Sequence, residues 1–148
     1  RSGWDAEAIA DGLGWLARSA EGSTFSRYHA EAGIAAEHCL APSYSATRWE
    51  RIVACYELLE RLAPSAIHTL NRAVALAEWQ GAQAGLDLLE GLVPPSWLAG
   101  SYVWAAVLAD LHRRAGNSVL AQEHRAVALA SAPSPVVRAA LERRLLSV

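Results

Sequence analysis

The stretch Leu70-Asn71-Arg72-Ala73-Val74-Ala75-Leu76-Ala77-Glu78-Trp79-Gln80-Gly81-Ala82-Gln83-Ala84-Gly85-Leu86 decides the fold. Strong helix formers carry apolar residues at helical spacing as far as Gly81, where a glycine can adopt the left-handed backbone that stops a helix. A second apolar series starts at once. The same grammar returns at Leu111-His112-Arg113-Arg114-Ala115-Gly116, which leads into Asn117-Ser118-Val119-Leu120-Ala121-Gln122, and the two stop glycines lie 35 positions apart. Helix pairs punctuated at that interval predict a scaffold of stacked helical hairpins, an architecture that builds binding surfaces.

The composition of the whole chain carries the same bias. Its 148 residues are 53% hydrophobic, with Ala and Leu dominant and a single Phe, which favours helix over strand and provides a core for one all-α domain. A net charge of −2 and a pI near 6.2 argue against a protein that grips nucleic-acid phosphates, so no direct DNA binding is expected. All 13 basic side chains are Arg. Residues 75–112 hold Glu78, Asp87, Glu90 and Asp110 with no Arg, whereas Arg113, Arg114, Arg125, Arg138, Arg143 and Arg144 crowd the remainder. A solvated face accounts for this asymmetry more simply than a contact surface for an acidic partner.

Cys39 and Cys55 fall on apolar helical phases, which predicts buried thiols, and a reducing, cytoplasmic setting fits them. No apolar run approaches the roughly 18–20 residues of a membrane span, and no signal-peptide pattern is present. The chain starts at Arg1 and contains no Met, from which we expect a C-terminal fragment of a longer protein.

Eight helices joined by short loops are expected, arranged as a right-handed array, with an N-terminal pair in 1–44 and three hairpins resembling tetratricopeptide repeats in 45–148. Ser2-Gly3-Trp4-Asp5 has capping-box spacing before Ile9, Leu13 and Leu16, and this helix ends near Gly22, followed by a polar turn from Ser23 to Ser26. Tyr28, Ala32, Ala35, Ala36 and Cys39 mark the second helix, ended by Pro42, with Gly33 allowing a close neighbour. Thr47-Arg48-Trp49-Glu50 reads as a capping box for a third, whose stripe of Trp49, Ile52, Val53, Tyr56, Leu59 and Leu62 faces a core. The fourth runs from Ser65 to Gly81, the fifth through Leu86 and Leu89 to Pro94-Pro95, and a turn through Trp97 and Gly100 precedes the sixth at Trp104 to Leu111. Leu120, His124 and Val127 define the seventh, and Ser134-Pro135 starts the eighth with a cap and a proline at the first helical position.

Chemistry is sparse in this pattern. His29, His38, His68, His112 and His124 include no pair at the i, i+4 spacing of a helical zinc motif, and no nucleophile elbow, phosphate loop or shared-loop carboxylate pair occurs. We therefore expect no catalytic residue, no cofactor and no metal. The polar residues most suited to a groove are Tyr28, Glu31, His38, Asn71 and Arg72. Asn71 can tie adjacent helices together, while Arg72 either snorkels to the surface or pairs with Glu31 or Glu57. Trp49 and Trp104 share phase with apolar stripes and are expected in the core, whereas Trp79 and Trp97 flank turns and are candidate exposed anchors for a partner.

These residues together resemble the C-terminal extension of a group of bacterial extracytoplasmic-function sigma factors. The resemblance is carried by Trp4-Asp5; Tyr28 with Ala32, Ile34-Ala35-Ala36 and His38; Trp49, Ile52 and Tyr56; Pro64-Ser65; Leu70-Asn71-Arg72-Ala73-Val74-Ala75; Gly81 with Ala84-Gly85-Leu86; Leu98-Ala99-Gly100 with Tyr102; and Arg113-Arg114 before Gly116. Glu31 and Gly33 stand where that family usually has Gln and Ala. The resemblance implies a tetratricopeptide-like regulatory appendage that acts through the sigma core, RNA polymerase or a signalling protein. The segments that would bind promoter and core polymerase are not within these residues. The alternative is a freestanding helical protein that binds a small molecule or carries a weak enzymatic site near Tyr28, Glu31, His38 and Arg72.

Overall fold

The computed structural model describes residues 3–22 and 25–146, and every regular element among them is an α-helix. In chain order these are α1 (Ala6–Ala20), α2 (Arg27–Leu40), α3 (Trp49–Leu62), α4 (Ala66–Gln80), α5 (Ala82–Glu90), α6 (Ser96–Ala99), α7 (Tyr102–Arg114), α8 (Ser118–Ala130) and α9 (Pro135–Leu146). The protein is all-α, as its composition predicts. The described residues hold nine helices where eight were expected, because the turn through Trp97 winds into the short α6. Four residues are too few to display a helical period, so only the structure reveals that element.

Packing divides the chain into two compact units, 1–68 and 69–148, with the division inside α4. In the first unit α2 lies against α3 and α1 against α2, over a core that includes Ala30, Ile52, Val53 and Leu59. Gly33 marks the close approach, since a Cβ built there would meet Cys55 Sγ at 3.1 Å. The α1 cap is Asp5, whose Oδ1 accepts from the Glu7 and Ala8 amides at 3.0 Å; Ser2 lies outside the described residues, as do Ser23 and Thr24 of the expected polar turn. His29 bridges the α1–α2 turn. Its Nδ1 accepts from the Ser26 amide at 3.2 Å and its Nε2 lies 3.2 Å from the Ser19 carbonyl, which fixes the Nε2–H tautomer.

Two local expectations fail in this unit. Thr47 is not the cap residue of α3: it is buried, its hydroxyl donates to the Ser43 carbonyl at 3.4 Å, and Arg48 occupies the cap position without a side-chain bond to the first turn. Trp49 is half-buried at the edge of the unit, packed edge-on against His38 at 5.6 Å and Tyr44 at 5.1 Å. Trp49 is the first residue of α3, so only the turns that follow it carry the apolar stripe onward. Trp104 is half-buried as well, and Cys39 and Cys55 are free, half-buried thiols.

The second unit is built on small residues. Ala105 and Ala109 on α7 and Ala128 on α8 are buried with Leu141 and Leu145 of α9, and α7 packs more closely on α8 than on any other helix. Alanine faces let two backbones approach, while Tyr102, Leu129 and Val137 pack around them and Leu111 is buried toward Gly85 of α5. Gly81 and Gly116 both adopt positive φ, 99° and 82°, where the sequence places helix stops. Ser134 accepts from the Val137 amide at 3.2 Å and Pro135 opens α9, as expected of that pair. Among the described residues no helix is long and apolar enough to cross a membrane.

Candidate functional site

The five polar residues expected to share a groove belong to different units. Tyr28, Glu31 and His38 lie on α2 of the first, and Asn71 and Arg72 on α4 within the second. Tyr28 is 64% exposed, with its hydroxyl accepting from Arg27 Nη2 at 3.0 Å and the guanidinium stacked 4.8 Å over the ring. Glu31 is exposed, whereas His38 is half-buried against Trp49. The apolar cleft of the first unit is lined by Ile9, Leu13, Leu16, Ala32, Ala36 and Cys39, and not by these three polar groups. Asn71 and Arg72 are both half-buried. Trp79, near the end of α4, and Trp97, on α6, are 49% and 61% exposed, so both present indole surface to solvent.

The buried charge of the first unit is one the sequence reading missed. Glu37 is buried, and Arg48 grips its carboxylate in a fork, Nε to Oε2 at 2.7 Å and Nη2 to Oε1 at 3.1 Å. Arg51 stands 3.7 Å away as a second cation. Two planar bonds satisfy both carboxylate oxygens, so this group closes the α2–α3 hairpin and offers no free base. The available signal was the pair Arg48 and Arg51, spaced i, i+3 so that both reach back toward one acidic residue on the preceding helix.

In the second unit the uneven charge distribution resolves into internal pairing. Arg114 donates to Glu78 Oε1 at 2.6 Å and to the Ala77 carbonyl at 3.0 Å, tying the end of α7 to the end of α4. Asp110 receives Arg113 at 2.8 Å and lies 3.5 Å from Arg114. Part of the acidic stretch thus neutralises the first two arginines of the basic one. The His112 and His124 rings stack at 5.4 Å with 3° between planes, and burial, then the neighbouring His112, holds His124 below its ordinary value against a smaller opposing pull from Glu123. Burial likewise raises the Cys55 thiol. Among the described residues no group of three or more His, Cys, Asp or Glu side chains is placed to hold a metal ion.

Comparison with known proteins adds one relative. The chain is 33% identical over 130 residues to an uncharacterized protein of Rhizobium meliloti, a match that covers 86% of this chain and 30% of that protein. The chain thus spans less than a third of its relative's length. No family model matches, and no solved structure matches.

Proposed function

We propose that this chain is a non-catalytic protein-interaction module, the regulatory appendage of an extracytoplasmic-function sigma factor. It modulates transcription initiation in the cytoplasm through contacts with the sigma core, RNA polymerase or a signalling protein. The observation that carries the reading is the packing at Gly85. A Cβ there would meet the Ala73 carbonyl oxygen at 2.7 Å and the Ala77 Cβ at 3.0 Å, so the Asn-Arg-Ala-Val-Ala and Ala-Gly-Leu runs that bear the resemblance meet in one helical hairpin. Support also comes from the length of the Rhizobium meliloti relative, which leaves most of that protein outside the matched region. The exposed indoles of Trp79 and Trp97 supply anchors of the kind that dominate protein contacts.

The test is transcription from the parent's own promoter, with and without residues 1–148, alongside binding of the isolated chain to sigma core, polymerase and promoter DNA. The expected result is altered transcription on removal and binding to protein but not to DNA. Unchanged transcription, or specific DNA binding by the chain at physiological salt, would overturn the reading.

A further inference from the structure

A cleft of about 360 Å³ opens in the second unit between α7, α8 and α9, and its polar lining is Arg113, Ser118, Gln122 and Arg125. Ala109, Ala121 and Leu145 supply an apolar floor, and among the described residues no carboxylate lines the cleft. The Nε–H groups of both arginines are buried without a hydrogen-bond acceptor among the described residues, so their stems are held in the wall while charge is left incompletely matched. Arg113 is already balanced, because it and Arg114 together face the two carboxylates of Asp110 and Glu78, which leaves Arg125 as the excess cation. The cleft therefore carries an excess close to one positive charge, suited to a carboxylate monoanion better than to a phosphate dianion. Independently, the first turn of α8 opens on the same cleft through Ser118, and its cap residue Asn117 makes no side-chain hydrogen bond to the turn.

The geometry points to this cleft as the docking site for an acidic, apolar segment of a partner protein, with a Glu or Asp carboxylate received by Arg125 and Gln122 over the alanine floor. A peptide segment suits the cleft better than a free acid because the arginines stand over an apolar floor, and Val119, next to the lining residue Ser118 in sequence, is 68% exposed. This inference rests on the interaction-module reading and names the chemistry of its partner.

The experiment titrates the full chain into a labelled short peptide of Glu and Leu residues and, separately, into the same peptide with every Glu replaced by Gln, following fluorescence anisotropy at low and physiological salt. We expect saturable binding of the Glu peptide alone, weakened by salt, and weakened about tenfold or more by Arg125→Gln. Gln122→Glu changes an exposed residue, so the fold tolerates it, and like charge should abolish binding. Arg138→Gln, on exposed α9 surface away from the lining, should leave binding unchanged. Equal binding of the Gln peptide, indifference to Arg125→Gln and Gln122→Glu, or displacement by acetate at concentrations comparable with the peptide would each overturn the assignment. If sigma core or polymerase still binds the chain while the peptide does not, the cleft assignment falls and the module reading stands. If the peptide binds through Arg125 while removal of residues 1–148 leaves transcription unchanged, the sigma reading falls and the cleft stands.

Discussion

Gly85 is the residue at which one absent methyl group fixes a helix–helix distance. The contact a Cβ would make is with a backbone oxygen at 2.7 Å, and a carbonyl inside α4 cannot swing aside as a side chain can. Gly33 is the instructive contrast, since a Cβ there meets the far end of Cys55 at 3.1 Å and a thiol can rotate. Gly85→Ala should therefore cost about 1–3 kcal/mol through overpacking, whereas Gly33→Ala should lie within about 1 kcal/mol of the parent. Urea denaturation of both variants checks this; equal losses would show that the α4–α5 approach is not the constraint.

At the scale of elements, the hairpins depend on two turns whose backbone only glycine adopts cheaply. Gly81 at φ 99° and Gly116 at φ 82° have open space around them, so a side chain there meets no clash and the whole penalty is conformational. Gly81→Ala and Gly116→Ala should each destabilise by about 1–2 kcal/mol, and Asn at Gly116 by less, since Asn tolerates the left-handed region. Thermal melts of single variants and the double variant test the claim, and a departure from additivity is expected, because Arg114, two residues before Gly116, bonds the Ala77 carbonyl that also accepts from the Gly81 amide. These turns were legible because a helix stop is written within a few residues. The Thr47 cap was misread for the same reason in reverse. Its capping-box spacing is satisfied in sequence, yet its hydroxyl bonds back to Ser43 and the helix begins one residue later.

For the whole molecule, the measurable consequence of the burial pattern is a pH dependence centred on His124. Its folded-state value lies below the ordinary 6.5, chiefly through burial and then through His112. The unfolded chain thus takes up the proton first as pH falls below about 6.5, which draws the equilibrium toward unfolding until the folded value is passed. Stability should be flat above that window and fall within it. His124→Gln should flatten the part of the profile that belongs to this residue, measured as urea midpoints across pH 7.5 to 5, near the reference His value. An unchanged profile would show that His124 titrates as in the unfolded chain.

Sequence alone determined the all-α class, most helix bodies and the glycine stops, because these are set by interactions within a turn or two of the same helix. The exposure of Trp79 and Trp97 was legible as well, since each stands beside a turn. Only the tertiary structure decided which polar residues meet. Glu37 finds Arg48 eleven residues away across a hairpin, and Arg114 reaches Glu78 thirty-six residues back, distances at which periodicity carries no information. The expected grouping of Tyr28, Glu31 and His38 with Asn71 and Arg72 draws its first three members from one packing unit and its last two from the other. The Arg113 and Arg125 cleft was hidden for the same physical reason: it exists where α7, α8 and α9 converge, and no single helix carries its pattern.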